Sequence, residues 1–196
     1  VALTGATKKQ AQAEVEKSIE RLFFYAAWAD KYDGAVHQPP MRGVTLAMNE
    51  AIGVMGVVCP DASPLLAMVS MVAPVIAMGN TAVVIPSQRY PLLATDFYQI
   101  LETSDVPAGV VNIVTGRRDE LAGVLAEHAQ LDGLWYHADE AGSERVEALS
   151  TGNLKRTWVN RGLARDWYDN QAGEGKQFLR EATQVKNIWI PYGDSI

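Results

Sequence analysis

Glu50 to Pro91, EAIGVMGVVCPDASPLLAMVSMVAPVIAMGNTAVVIPSQRYP, is the stretch that most narrows what this chain can become. Ile52 to Cys59 and Thr81 to Ile85 are apolar, rich in β-branched residues and of strand length, which suits a sheet covered on both faces. Between them lies a helix-length segment with Ser63 as its expected cap, Pro64 at the first helical position and Gly79-Asn80 as a left-handed stop. Its middle, LLAMVSMVAPVIAM, is apolar nearly all round and predicts a sandwiched helix, kinked at Pro74 where the bond to Ser70 is lost. The whole stretch reads as one βαβ unit. It is too short to span lipid, since a spanning helix needs about 20 apolar residues and Asp61 with two prolines cuts this one off from the preceding strand.

The remaining pattern extends that unit. A helix is expected from Lys8 to Lys31, opened by a Thr7/Gln10 capping box and ended by Asp33-Gly34, with Ala11, Val15, Ile19, Leu22, Phe23 and Ala26 on its core face. Val44 to Met48 suggests one short edge strand. Beyond Pro91 come a helix from Leu92 to Thr103, a strand from Val110 to Val114, a helix from Glu120 to Glu127 and a strand from Gly133 to Tyr136. A helix from Glu140 to Ser150 and a strand from Lys155 to Val159 complete the alternation. Strands and helices alternating at this spacing predict an α/β fold with a doubly wound, five-stranded parallel sheet of Rossmann type.

Composition limits function. A net charge of -6 argues against a nucleic-acid partner, which would want a basic face. A single cysteine rules out internal disulfides and fits a reducing, cytoplasmic setting. No metal-ligand spacing occurs: there is no CxxC or HExxH, and His37, His128 and His137 lie far apart in sequence. No secretory signal or membrane span is read, and the opening Val1 suggests a piece of a longer chain.

In an open α/β sheet, ligands bind beyond the carboxyl ends of the strands. Those ends carry neither GxGxxG nor a P-loop. What the chain does carry, in order, is FYAAWADK, EAIGVMGVV, a P-x-x-x-P-LL opening to the buried helix, AP-x-x-A-x-GNT, V-x-x-PS, VPAGVVNIVTG and LKRTWVNRG. This series, from Arg21 to Gly162, resembles the aldehyde dehydrogenase superfamily, and the tail REATQVKNIWI looks like that family's terminal oligomerisation arm. The implied organisation is a nucleotide-binding-fold domain over 1–162, with the N-terminal helix at 8–31 and the sheet from about 50, then a polar linker over 163–183 and the arm over 184–196.

The resemblance also implies losses. The family's oxyanion-donating asparagine corresponds to Ala62, its ribose-binding lysine and glutamate to Ile85 and Gln88 around Pro86-Ser87, and its general-base glutamate to Asn160. Its Phe-Thr-Gly-Ser segment appears as Tyr136 to Glu140, where Asp139 or Glu140 would stand in the place a cofactor pyrophosphate needs, although Asp139 also reads simply as a helix cap. The lobe that bears the family's nucleophile is missing between Leu163 and Gln184. Cys59 reads as a core thiol and His137 as a loop residue. The expected crevice of Pro60, Ile85, Pro86, Ser87, Gln88, Asp139 and Gly142 is therefore vestigial.

Together these features imply a pseudoenzyme resembling the truncated C-terminal copy of family-sixteen aldehyde dehydrogenases. It would serve as a structural module of a parent that uses NAD, bind no cofactor itself, and pair with a complete copy in the same polypeptide or with another copy of itself. Val185, Ile188, Trp189 and Ile190 would do the pairing, because such an arm has no place in its own sheet. Two other readings stand: a module that senses NAD, and a dehydrogenase completed by a nucleophile from another chain.

Overall fold

The computed structural model describes residues 1–193 and contains two sheets. The larger is parallel, with β3 (Val54–Val58), β4 (Thr81–Ile85), β5 (Val111–Ile113), β6 (Gly133–Tyr136) and β7 (Arg156–Val159) in the order β5-β4-β3-β6-β7. The chain winds outward from β3 through β4 to β5, then crosses back to lay β6 against the other side of β3. One face is covered by α1 (Lys8–Trp28), α2 (Pro64–Ala77), α3 (Leu92–Glu102) and α6 (Lys176–Glu181). The other is covered by α4 (Arg118–Glu127) and α5 (Glu140–Leu149). This is the doubly wound sheet the sequence predicts, with its reversal of strand order between β3 and β6.

The central βαβ unit is anchored by Asn80. Its side chain accepts from Ile52 N and Gly53 N at 2.7 and 2.9 Å and donates to Val75 O and Ala182 O at 2.9 and 2.8 Å. Because Asn80 takes the amides of Ile52 and Gly53, β3 starts at Val54 rather than at Ile52. The left-handed stop falls on Gly79, at φ +84°. Ser63 does not cap α2: its φ is 46° and its hydroxyl makes no cap bond. The carboxylate of Glu14, reaching across from α1, accepts from Leu65 N and Leu66 N at 2.9 and 3.2 Å instead.

Helix α1 begins with the expected capping box and ends at Trp28, three residues short of expectation. Its orientation is the reverse of the one read from hydrophobic spacing. Val15, Ile19, Leu22 and Phe23 are exposed, whereas Ser18, Arg21 and Tyr25 are buried. Specific polar contacts outweigh the apolar stripe: Glu14 caps α2, and the Arg21 guanidinium meets Glu174 at 3.0 Å and donates to Trp167 O at 2.9 Å.

Those partners overturn a second expectation. The stretch 163–183 is no polar linker, because Trp167, Phe178, Leu179 and Ala182 are buried against Tyr25, Trp135 and Trp158. Its polar residues lie on the outside of a segment whose few apolar ones reach the core.

The smaller sheet has the order β1-β2-β8, formed by β1 (Ala35–His37), β2 (Gly43–Ala51) and β8 (Thr183–Pro191). Two strands thus replace the single short edge strand expected near Val44. The arm does have a place in its own sheet: β8 pairs antiparallel with all nine residues of β2, from Thr183 opposite Ala51 to Pro191 opposite Gly43. Val185, Trp189 and Ile190 remain exposed and Ile188 half-buried. The expected arm over 184–196 lies outside the described residues from 194 on.

Candidate functional site

Where the strand order reverses, the loop after β3, the N-termini of α4 and α5 and the turn after β7 enclose a crevice of about 330 Å³. Pro60, Ala62, Asp139 and Asn160 come together there, as the sequence predicts for strand ends. Ile85, Pro86 and Ser87 lie buried behind it, and Gln88 stands outside with its Oε1 accepting from Arg118 N at 2.7 Å. Gly142 faces the neighbouring hollow under the Tyr136 ring, where any side chain would collide with the phenol oxygen.

The crevice holds charges that sequence reading passed over. Asp61 meets the Arg118 guanidinium at 2.7 Å, accepts from Ser87 Oγ at 2.5 Å and accepts from Arg89 N at 3.1 Å. Burial opposes ionisation of Asp61, but these donors outweigh it and hold the carboxyl below its usual range. The crevice therefore does have a cation, although the position where the resemblance implies a lysine is the apolar Ile85. The signal was the pair Arg117-Arg118 following Thr115-Gly116 at a strand end, because α4 starts two residues earlier than its periodicity indicates. Arg165 adds a second guanidinium, lying 5.3 Å from the Trp158 ring centre and 5.2 Å from that of Phe178, with Nη1 donating to Ala172 O at 2.6 Å.

The N-terminus of α5 is satisfied from within. Asp139 Oδ1 accepts from Gly142 N at 2.7 Å, and Oδ2 accepts from the Tyr136 hydroxyl at 2.9 Å. The Gly142 N–H, helped by Tyr136 and opposed by burial, holds the Asp139 carboxyl below its usual range, so it is an anion at neutral pH. Gly162, at φ +70°, brings the turn after β7 so close that a Cβ there would lie 3.1 Å from Glu140 N. A pyrophosphate at this helix end would face a fixed carboxylate and a backbone already in place, so the groups present do not fit it. Asn160 donates through Nδ2 to Leu163 O at 3.0 Å, which fixes the turn and offers no base.

Cys59 and His137 stand behind these loops, both fully buried. Burial pushes the Cys59 thiol up to about 12, the opposite of an activated nucleophile. His137 packs edge-on against Trp158 at 4.8 Å, and neither ring nitrogen has a hydrogen-bond partner among the described residues. It is the loop residue expected, just past the end of β6, and it is buried in the core. Among the described residues no cluster of three or more His, Cys, Asp or Glu is placed to hold a metal, and no helix is long and apolar enough to cross a membrane.

Comparison with known proteins gives a consistent result. A model of the aldehyde dehydrogenase family matches residues 1–163. Cytosolic aldehyde dehydrogenase 1 of Mus musculus is 33% identical over 150 residues, covering 76% of this chain and 30% of its own. Retinaldehyde dehydrogenase 3 of Homo sapiens is 33% identical over 150 residues, covering 76% and 29%. Among solved structures, PnpE from Pseudomonas sp. WBC-3 superimposes with a TM-score of 0.71 at 27% identity, over 74% of this chain and 30% of that one. PnpE has also been solved in complex with nicotinamide adenine dinucleotide. The chain thus spans about 30% of the length of the curated relatives it matches.

Proposed function

Because this chain belongs to the aldehyde dehydrogenase family, we propose that it is a degenerate, non-catalytic copy of that family's nucleotide-fold lobe. In this reading it is a structural and oligomerisation module of a larger enzyme that oxidises aldehydes to acids with NAD. The observation that supports the reading is the crevice at the strand ends, whose polar groups are engaged by its own side chains: Arg118 by Asp61 on one side, and the Gly142 amide by Asp139 on the other. The buried thiol of Cys59 and the amide of Asn160 agree with it. The parent is of the family-sixteen kind, with a complete aldehyde dehydrogenase domain ahead of this truncated copy. That domain is the partner. The outer edge of β8 pairs with it, and exposed Trp189 and Ile190 become covered.

A second reading, an NAD-sensing module, is favoured by the Arg165 guanidinium, which lines the crevice. Assays with aldehydes and either NAD or NADP test catalysis. No turnover is expected, and turnover that disappeared with Cys59→Ser would overturn the proposal.

A further inference from the structure

Among the buried and half-buried arginines of the described residues, Arg165 alone meets no carboxylate. Arg21 has Glu174 and Arg118 has Asp61, whereas burial pulls the Arg165 guanidinium below its usual pKa range with only Tyr25 opposing. A cation withdrawn from water without a countercharge costs stability. Three rings hold it: the guanidinium carbon lies 5.3 Å from the Trp158 ring centre, 5.7 Å from that of Trp167 and 5.2 Å from that of Phe178. Nη1 donates to Ala172 O at 2.6 Å, while Nε and Nη2 make no hydrogen bond among the described residues and stay accessible to solvent. Those two nitrogens form the edge of a guanidinium that takes both oxygens of a carboxylate, and Arg165 lines the crevice of about 330 Å³. The fork is fixed before any ligand arrives, which lowers the entropy cost of binding.

The other charges of the crevice indicate the rest of the ligand. Asp61 and Arg118 pair with each other, which leaves Arg165 and the Asp139 anion as the charged groups of the crevice without a salt bridge. Each Asp139 oxygen accepts one hydrogen bond, from Gly142 N or the Tyr136 hydroxyl, and keeps a lone pair for another donor. Phosphate would suit Arg165 but be repelled by Asp139, and a plain amine would meet the converse. A ligand carrying both charges satisfies both groups. Ala62, Ala138, Leu163 and Ala164 supply apolar wall beside them, enough for a small aliphatic side chain. We propose that the crevice binds a small zwitterion of the free amino-acid class, with its carboxylate on the Arg165 fork and its ammonium toward Asp139. Arg165 and Trp167 lie beyond residues 1–163, the stretch that matches the family model, so this wall of the crevice is not part of the matched stretch. The proposal goes beyond the non-catalytic reading, since it requires neither turnover nor NAD.

The test is titration of the chain with L-valine, with isovalerate, which lacks the ammonium, with isobutylamine, which lacks the carboxylate, and with inorganic phosphate. Calorimetry reads binding, and so does tryptophan fluorescence, because Trp158 and Trp167 flank Arg165. L-valine should saturate, isovalerate should bind at least ~10-fold more weakly, and isobutylamine and phosphate should not saturate over the same range. Arg165→Lys keeps a charge by the rings but loses the fork, and should weaken L-valine at least ~10-fold. Asp139→Asn should weaken L-valine about tenfold while leaving isovalerate unchanged or tighter, a split that a purely structural role would not produce. Should Arg165→Lys fail to fold, the comparison of L-valine with isovalerate on the wild type still decides. No saturable signal with L-valine overturns the proposal, as do isovalerate or phosphate binding as tightly as L-valine, or a folded Arg165→Lys chain with wild-type affinity. Aldehyde turnover and NAD do not enter this test, so its failure and failure of the proposed function are separable.

Discussion

Asp61 and Arg118 meet at 2.7 Å across the mouth of the crevice, joining the loop after β3 to the first turn of α4. Ser87 and the Arg89 amide complete the shell around the carboxylate. The arrangement locks three strand-end loops together and uses up the cation that an anionic ligand would seek. In this fold a crevice at this position is ordinarily where ligands bind, and here Asp61 and Arg118 pair across it.

A second clamp holds the 163–183 segment, and it gives the first prediction. The Arg21 side chain is fully buried, with Glu174 as its countercharge. Glu174→Ala leaves that guanidinium buried without a carboxylate and should cost about 3–5 kcal/mol, read as a drop in the urea midpoint. Fluorescence of Trp167, whose carbonyl Arg21 also holds, should shift red at lower urea than in wild type. A loss below about 1 kcal/mol would mean that the segment is docked by Trp167 and Phe178 alone.

Stability should also depend on pH through His137. Burial, aided by Arg165, pulls its pKa down to about 3 from an ordinary 6.5. As pH falls the unfolded chain takes the proton first, so the contribution is complete above pH 6.5 and is lost toward pH 3. The slope in that window reaches about 1.4 kcal/mol per pH unit. Asp61 and Asp139, both depressed from 3.8, contribute losses only below that value. His137→Phe should flatten the profile between about pH 6.5 and 4, and a variant profile parallel to wild type would contradict this assignment.

Much of this architecture can be read directly from residues. Gly79 and Pro64 bracket α2, and the strand runs around Val54, Thr81 and Gly133 are β-branched or tightly bounded, so order and alternation follow from local preference. Misjudged features depend on partners far away in sequence. The periodicity of α1 indicates the face of Val15, Ile19 and Phe23, and the other face was buried because Arg21 meets Glu174 and Trp167, well over a hundred residues away. Ser63 is a good cap by type, yet Glu14 holds the α2 amides. The polar look of 163–183 hides a handful of aromatic anchors, and nothing local in Thr183–Pro191 says that β2 is its neighbour. At the site, Asp139 as a cap is a local signal and was legible, whereas the salt bridge from Arg118 to Asp61 was not.

The thiol of Cys59 should behave as a reporter of unfolding. It is fully buried with its pKa raised to about 12, so a disulfide reagent at pH 8 should find it unreactive in the native chain and reactive in denaturant. Labelling in native buffer should follow global opening and slow as stability rises. Rapid stoichiometric labelling without denaturant would show that the thiol is accessible and would reopen the question of a nucleophile.

Engagement of the crevice's polar groups by its own side chains is tested by calorimetric titration of the chain with NAD. Wild type should give no saturable heat at millimolar NAD. The double variant Asp61→Ala/Asp139→Ala, which frees Arg118 and the α5 amides, should bind NAD or inorganic pyrophosphate at least ~10-fold more tightly than wild type. Saturable wild-type binding at micromolar NAD, or a double variant that binds no better than wild type, would contradict it.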